Sequence, residues 1–189
     1  MERTLPMSDS NQSIRIRIKP VKKTVEKRKL PAKIEKRYPL KLLVAYILSP
    51  VVEQLRRYAG TDKNYELGGI LVGNVGRASG RLFIEIKDFI PAHKGISHRA
   101  SFEFTNEAQQ EIHEILEANY KEFLIVGWFH THPGYGIFLS SADQFIDQNY
   151  FKEKYHVALV LDPCRPGVEV GAFAWNAKKQ RVRVPLFEL

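Results

Sequence analysis

Hydrophobic and polar residues are arranged along this chain in patterns that predict strands and helices in turn. Runs rich in branched and aromatic residues, bounded by glycine, proline and polar residues, predict seven strands. They lie at 40–48, 66–75, 81–90, 123–130, 156–161, 168–175 and 181–187. Apolar residues spaced three and four positions apart predict helices between several of these strands. The interleaved order predicts an α/β fold with a mixed central β-sheet flanked by helices.

The ends of three predicted helices are marked by capping residues. Serine, threonine and asparagine side chains accept a hydrogen bond from the first turn of a helix, and glycine readily ends one. The predicted N-caps are Ser49, with Pro50 at the first helical position, Thr105 or Asn106, and Ser140 or Ser141. Gly60 is predicted to end the first helix, and the other two cover about 105–120 and 140–151.

The pairing of several strands can also be predicted. The turns at 76–80 and 176–179 predict two hairpins. The strand at 123–130 is apolar on both faces, which is typical of a central strand. Trp128 and Phe129 within it are therefore predicted to be core residues.

The end of this central strand carries the residues with the clearest chemistry. His130 and His132 are two positions apart, so the period of a strand puts both imidazoles on one face. Pro133 ends the strand, and a glycine-containing loop lets the chain return to a helix whose first turn holds Ser140 and Asp143. Two histidines and one aspartate leave the fourth position of a tetrahedral zinc open, which is typical of a catalytic site.

A zinc ion at this position would lower the pKa of its bound water from about 15.7 to about 7. Hydrolysis would still need a base to take the proton of that water and a hydrogen-bond donor for the oxyanion. Glu66 is the best candidate for the base, since a carboxylate is unusual at the start of the apolar strand 66–75. Gly68 and Gly69 would let another backbone approach closely there. Ser140, near a helix N-terminus, is placed to donate a hydrogen bond to a developing oxyanion. A salt-bridged carboxylate at Glu66 and a simple helix cap at Ser140 are the structural alternatives.

These residues together resemble the JAMM motif of the MPN-domain zinc metalloproteases. The resemblance rests on Glu66, His130-x-His132-Pro133 and, after six intervening residues, Ser140-x-x-Asp143. It extends in order across about residues 40–175. At a ~5% chance for each position, the five residues of fixed spacing would match by accident about once in three million starts.

The resemblance implies a single MPN domain of cytidine-deaminase-like fold over 38–189, with one Zn²⁺ per chain. It implies the zinc ligands His130, His132 and Asp143 and the catalytic residues Glu66 and Ser140. It also implies hydrolysis of the amide or isopeptide bond after the C-terminus of a ubiquitin-like protein or in its conjugates. Because the sequence stops just after its last predicted strand, we expect it to be more similar to compact stand-alone prokaryotic members than to members of large complexes.

The net charge of the chain lies entirely in its first segment. Residues 1–37 contain 12 Lys and Arg and 4 Asp and Glu, a net charge of +8, which equals that of all 189 residues. The body, 38–189, is therefore neutral, which argues against a nucleic-acid enzyme. Alternation at Ser13–Lys19 predicts a strand suited to adding to another sheet. We expect this basic, largely flexible tail to bind a protein or a nucleic acid.

The sequence also bounds the class of protein and its location. No apolar run approaches the ~18–20 residues of a membrane helix, and no secretory signal is visible at the start. The single cysteine, Cys164, cannot form an internal disulfide or a thiolate-rich zinc site. A cytoplasmic location is expected. Nothing in the sequence specifies an oligomeric state.

Two other functions remain open at this point. A non-catalytic MPN scaffold or binding module would share the fold, although relatives without activity typically lose the residues present here. A zinc peptidase acting on another substrate class would share the site. Among nearby polar residues, Asp147 is expected to be a helix-surface charge, His156 a structural residue, and His93 and His98 solvated loop residues.

Overall fold

The computed structural model describes residues 26–27, 43–78 and 81–189. The strands in these ranges are β1 (Glu26–Lys27), β2 (Val44–Ile47), β3 (Gly68–Ala78), β4 (Arg81–Pro91), β5 (Ile96–Ser97), β6 (Phe102–Glu103), β7 (Leu124–Thr131), β8 (Val157–Asp162), β9 (Glu169–Trp175), β10 (Arg181–Val184) and β11 (Leu186–Glu188). The helices are α1 (Ser49–Ala59), α2 (Asn106–Asn119) and α3 (Ser141–Tyr150). None of these helices is long and apolar enough to cross a membrane.

Nine of the strands form one mixed sheet. Their order is β10-β9-β8-β7-β3-β4-β2-β11, with β1 also beside β3. The pairs β7–β8 and β2–β4 are parallel, whereas β3–β4 and β8–β9 are antiparallel. β7 lies between β3 and β8, which confirms the central position predicted for it.

Helices cover both faces of this sheet, as the sequence predicts. Leu55 of α1 packs in the same core as Phe129 on one face. Ile112 of α2 and Ile146 of α3 share the core of the other face with Trp128. Trp128 and Phe129 are fully buried, so both are core residues as predicted. Since successive side chains of a strand point to opposite faces, these two neighbours in β7 contribute to the two different layers.

The last predicted strand is two strands in the structure, so the prediction of one strand over 181–187 was wrong. β10 pairs antiparallel with β9, whereas β11 pairs parallel with β2, at the opposite end of the sheet order. Pro185 separates them, and proline has no N–H to donate within a ladder. Because one residue joins the two strands, the sheet curls until its two ends approach each other.

Helix α1 begins one residue before the predicted start. Its N-cap is Leu48, which makes no side-chain capping bond, and Pro50 lies within its first two positions. The prediction of Ser49 as the cap was wrong. The backbone N–H of Ser49 instead donates to the carbonyl of Leu189 (2.6 Å), which ties the end of the chain to the start of the helix. Gly60 ends the helix as predicted.

The other predicted elements are confirmed with small shifts at their ends, except that 40–42, the start of the strand predicted at 40–48, lies outside the described residues. β3 and β4 form the predicted hairpin, with ladder partners running from Gly69 with Pro91 to Ala78 with Arg81. Thr105 is the N-cap of α2, and its side chain accepts a hydrogen bond from the backbone of the first turn. The small hairpin of β5 and β6 lies in a segment for which the sequence predicted no strand.

Two residues of the basic segment 1–37 are described. Glu26–Lys27 form β1, which pairs in parallel with β3 at Gly76 and Arg77. The strand predicted at Ser13–Lys19 lies outside the described residues. At β1 the basic segment is therefore part of the sheet, in a stretch for which the sequence predicted no regular structure.

Candidate metal centre and active site

The C-terminal end of β7 and its two neighbouring strands position the predicted histidine ligands. His130 lies opposite Gly68 of β3 and beside Val160 of β8. The backbone N–H of His132, one residue beyond the strand, donates to the carbonyl of Leu161 (2.8 Å). This bond continues the extended conformation past the end of β7, so both imidazoles lie on the same side with their centroids 4.7 Å apart.

Helix α3 brings the predicted aspartate ligand to these histidines. Its N-cap is Ser140, and Ser140 and Asp143 form a capping box. The Asp143 N–H donates to Ser140 Oγ (3.2 Å), and the Ser140 N–H donates to Asp143 Oδ2 (2.6 Å). These reciprocal bonds hold the Asp143 carboxylate in one orientation. Ser140 therefore is a helix cap, and its hydroxyl still has a proton to donate.

The three predicted ligands meet in the interior of the protein. His130 Nε2 lies 3.1 Å from His132 Nε2 and 3.3 Å from Asp143 Oδ2, and His132 Nε2 lies 3.4 Å from Asp143 Oδ2. All three side chains are at most 2% exposed. A tetrahedral zinc with bonds of about 2.0–2.1 Å needs ligand atoms about 3.3–3.4 Å apart. The spacing and chemistry of these donor atoms therefore fit a zinc ion.

Burial and mutual contact set the charge states of the three side chains. Burial lowers the pKa of His130, which favours the neutral imidazole that can bind a metal. Burial alone would raise the pKa of Asp143, but its contacts with His130 and His132 hold that pKa well below its ordinary value. Burial likewise opposes protonation of His132, yet Asp143 and Glu66 raise its pKa above the ordinary value. A bound cation would take the place of that proton.

Glu66 lies beside this cluster. The strand β3 begins at Gly68, so Glu66 precedes the strand, and the predicted strand start at Glu66 was wrong. Glu66 Oε1 lies 3.8 Å from His132 Nε2, and Glu66 Oε2 is buried with no hydrogen-bond partner among the described residues. Burial raises the pKa of Glu66 to about 7. A carboxyl group with such a pKa can accept and return a proton near neutral pH.

The glycines after Glu66 make room for the protein's own core. A Cβ on Gly68 would lie 2.5 Å from the ring of Phe102, and a Cβ on Gly69 would lie 2.3 Å from the carbonyl oxygen of Ile90. Close approach at these two positions is therefore an internal packing requirement. By contrast, a Cβ on Gly136, in the loop between the histidines and α3, would meet no atom within 4 Å.

Asp147 is fully buried, so the prediction of a helix-surface charge there was wrong. Its Oδ1 accepts a hydrogen bond from Trp128 Nε1 (2.8 Å) and pairs with the Arg181 guanidinium (2.5 Å). The Trp128 indole stacks on the His130 imidazole, with ring centroids 4.5 Å apart. The burial of Asp147 could have been predicted from its four-residue spacing from Asp143, which puts both acids on one helix face.

A second buried acid, Asp162, lies beside the site and was not predicted from the sequence. It ends β8 and accepts hydrogen bonds from the backbone N–H groups of Gly134 (3.0 Å), Gly136 (3.0 Å) and Cys164 (2.9 Å). The carboxyl ends of neighbouring parallel strands meet at one edge of a sheet, where ligands bind in α/β folds. Asp162 could have been identified from the sequence by its position at the end of the strand that follows the histidine motif.

The histidines outside the cluster are separate from it. His93 and His98 are exposed loop residues, as predicted. The carbonyl of His98 accepts the backbone N–H of Glu66 (2.8 Å), so this loop contacts the site through its main chain. His156 is buried, its Nδ1 accepts the Glu153 N–H (3.2 Å), and burial lowers the pKa of His156 to about 4. A structural role for His156 is consistent with these contacts.

Comparison with known proteins identifies the family of the chain. The sequence profile of the family described as JAB1/Mov34/MPN/PAD-1 ubiquitin protease matches residues 44–155. The chain belongs to this family. The match covers more than half of the chain and includes Glu66, both histidines of the cluster and Asp143.

Curated relatives of this MPN-family chain are named as subunits of the COP9 signalosome complex and of the 26S proteasome. Subunit 5 of the COP9 signalosome complex from Candida albicans is 33% identical over 141 residues, which cover 68% of this chain and 22% of the relative. The Caenorhabditis elegans subunit 5 is 30% identical over 128 residues, covering 64% and 33%. The 26S proteasome regulatory subunit RPN11 of Encephalitozoon cuniculi is 43% identical over 56 residues, covering 29% and 19%. The chain thus matches at most 33% of the length of these three relatives.

A solved structure shares the fold of this MPN-family chain. The solution structure of protein DSY2949 from Desulfitobacterium hafniense superposes with a TM-score of 0.59 at 14% sequence identity. The superposition covers 77% of this chain and 93% of that one. At this identity the likeness concerns the fold alone.

Proposed function

We propose that this MPN-family chain is a zinc metalloprotease that hydrolyses the amide bond after the C-terminus of a ubiquitin-like protein. The observation that carries the proposal is the convergence of Glu66, His130, His132 and Asp143 at one end of the sheet, all buried. Membership of a family described as ubiquitin proteases supports the choice of substrate class.

Three of these side chains are proposed to hold the metal. His130 and His132 would bind through Nε2 and Asp143 through Oδ2, the atoms that face one another. When bound, zinc would supply Lewis-acid activation of a water and of the scissile carbonyl. Because the protein contributes three ligands, the site keeps a position for the reactants.

Glu66 is proposed to carry the proton between water and the leaving amine. Its carboxylate borders the cluster, 3.8 Å from His132 Nε2, and is 2% exposed. A cation in the cluster favours the ionised carboxylate, so Glu66 begins the reaction as a base. Its pKa of about 7 in the metal-free protein shows how strongly burial favours the protonated form, in which Glu66 can act as the acid.

Ser140 is proposed to stabilise the oxyanion of the tetrahedral intermediate. Its Oγ accepts the Asp143 N–H, so the hydroxyl is held in one place at the start of α3. The hydroxyl proton can be donated to an oxygen that gains negative charge. The N-terminal end of α3 adds a favourable partial positive charge at the same position.

The surface around the centre suits an extended polypeptide. The Phe138 ring lies 4.7 Å from the His132 ring and is 45% exposed, and Tyr135 on the same loop is 52% exposed. Tyr65, next to Glu66, is also exposed. Aromatic side chains are enriched at sites that bind peptides and proteins. With open space beside Gly136, these rings could border the slim tail of a ubiquitin-like protein.

The test is the cleavage of two fusion proteins that differ only before the scissile bond. One joins a ubiquitin-like protein ending in Gly-Gly to a reporter, and the other ends in two large residues. We expect the zinc-loaded protein to cleave the first and to leave the second intact. Equal cleavage of both, or hydrolysis of small free dipeptides alone, would contradict the ubiquitin-like substrate and leave the zinc chemistry standing.

A further inference from the structure

We propose that Asp162 is a positioning residue for His132, because it holds the loop that presents the Gly136 carbonyl to the His132 ring. The inference rests on the proposed metal site and concerns which nitrogen of His132 faces it. The chain of contacts runs from the Asp162 carboxylate through a single residue, Gly136, to the imidazole.

Strand register brings Asp162 to this place. β7 and β8 are parallel, and Thr131 pairs with Leu161. The residues that follow this pair, His132 just beyond β7 and Asp162 at the end of β8, therefore lie side by side. The hydrogen bond from the His132 N–H to the Leu161 carbonyl (2.8 Å) maintains this alignment. Asp162 is fully buried, in a position that a carboxylate occupies only when its oxygens have partners.

The carboxylate of Asp162 organises the loop that follows His132. Its Oδ1 accepts the N–H groups of Gly134 and Cys164, and its Oδ2 accepts the N–H of Gly136. Gly134 and Gly136 have φ angles of +79° and +85°, a left-handed backbone that favours glycine. Burial alone would raise the pKa of Asp162, but the backbone donors hold it below the ordinary value. The ionised carboxylate thus stabilises a turn whose left-handed positions would be strained for most residues other than glycine.

The carbonyl group at Gly136 in this turn contacts the proposed metal ligand His132. The Gly136 carbonyl oxygen lies 3.1 Å from His132 Nδ1. A carbonyl only accepts hydrogen bonds, so Nδ1 carries the proton and donates it. The lone pair of Nε2 then points towards His130 and Asp143, where a metal would bind. By fixing the position of the Gly136 carbonyl, Asp162 selects the tautomer of His132.

The other histidine ligand is held in a different way, by packing against an aromatic ring. The His130 ring stacks on Trp128, which is bonded to Asp147. Its Nδ1 has no hydrogen-bond partner within the described part of the chain. The two Nε2 atoms are 3.1 Å apart, so a change in the tautomer of His132 also reaches His130, whereas the stacking of His130 on Trp128 should stay as it was.

The experiment uses Asp162→Asn in the full chain. The amide has nearly the same shape, but it replaces one acceptor oxygen with an NH₂ group that faces a backbone N–H. We expect the affinity for zinc, measured by competition with a chromogenic chelator, to fall about 10–100-fold. Long-range ¹H–¹⁵N spectra of the metal-free protein, at a pH where His132 is neutral, should show loss of the pure Nδ1–H form at His132.

Gly136→Ala provides a second variant in case Asp162→Asn does not fold. Its Cβ would meet no atom within 4 Å, yet the φ of +85° is unfavourable for alanine, so the loop should shift without a steric clash. Asp88→Asn is the matched control, because Asp88 accepts the Tyr120 hydroxyl (2.7 Å) and the Phe89 N–H (2.8 Å) on β4. The control should leave the affinity for zinc and the His132 tautomer unchanged.

Each outcome bears on a different statement. If Asp162→Asn and Gly136→Ala lower the melting temperature but keep zinc affinity within about twofold and the His132 tautomer intact, Asp162 is a structural residue and the proposal is overturned. If the wild-type protein binds no zinc, yet His132 has the Nδ1–H form and loses it in Asp162→Asn, the metal site is wrong and the positioning role stands.

Discussion

Trp128 Nε1 donates a 2.8 Å hydrogen bond to Asp147 Oδ1, and the same indole lies against the imidazole of His130. Asp147 is in turn paired with Arg181, whose guanidinium also donates to the carbonyls of His156 and Phe173. The buried ion pair of Asp147 and Arg181 thus supports the indole that packs against His130, one of the proposed metal ligands. Because the pair joins α3 to β10, it holds α3 against the strand at one end of the sheet order.

Breaking this ion pair should destabilise the protein strongly. Arg181→Met leaves Asp147 charged and buried without its partner, which typically costs about 3–5 kcal/mol. Adding Asp147→Leu should recover much of that loss, since it removes the unpaired charge. Urea unfolding measures the free energies. Arg183→Met, at an exposed pair with Glu169, is the control and should change stability by less than about 0.5 kcal/mol. A cost for Arg181→Met as small as that of the control would contradict this account.

Loss of any one proposed ligand should strip the metal. Asp143→Ala and His130→Ala each leave two ligands, and three-ligand sites tolerate such a loss poorly. We expect close to one zinc per chain in the purified wild-type protein and almost none in either variant, by elemental analysis. His98→Ala, which removes an exposed histidine, should keep full occupancy. Full zinc occupancy in both ligand variants would refute the assignment.

Replacement of Glu66 by glutamine should separate metal binding from turnover. The amide has nearly the shape of the acid but cannot carry a proton, so zinc and fold should be retained. The rate of cleavage should fall about 10²–10⁴-fold, the usual contribution of general acid–base catalysis. Glu103→Gln, at the exposed position of β6, is the control. Wild-type turnover in Glu66→Gln would mean that Glu66 is structural.

Stability should depend on pH through His156. Its pKa is about 4 in the folded protein and 6.5 when exposed, so the unfolded chain binds the proton more readily between these values. The contribution of His156 to the free energy of unfolding is therefore complete above about pH 6.5. It is lost as the pH falls towards 4, which lowers that free energy by up to about 3 kcal/mol. His156→Asn, which keeps an acceptor near Nδ1, should flatten this part of the profile. Parallel profiles for the two proteins would contradict the prediction.

Removal of residues 1–37 should leave the chemistry intact. The truncated chain keeps every proposed site residue but loses β1, which pairs with β3 at two positions. We expect full zinc content, unchanged basal cleavage and a loss of stability below about 2 kcal/mol. The binding of a protein or nucleic-acid partner should be lost with the basic tail. An unfolded truncated protein would show that this segment is integral to the sheet.

Local sequence determined most of the elements and the chemistry of the proposed metal site. The two-residue spacing of His130 and His132 fixes both rings on one face of a strand, whatever lies beside it. The reciprocal bonds of Ser140 and Asp143 form within a single helical turn. These features depend on residues a few positions apart, and their geometry follows from the backbone alone.

Tertiary structure decided which groups support that site. Asp147 is buried because Trp128 and Arg181 reach it from β7 and β10, and Asp162 reaches the loop after His132 because β8 lies parallel to β7. Pro185 marks a change of strand partner, from β9 to β2, that joins the two ends of the sheet order. Each of these contacts joins residues far apart in the sequence. Periodicity reports which face of an element is apolar, but strand order and register decide which polar groups meet there.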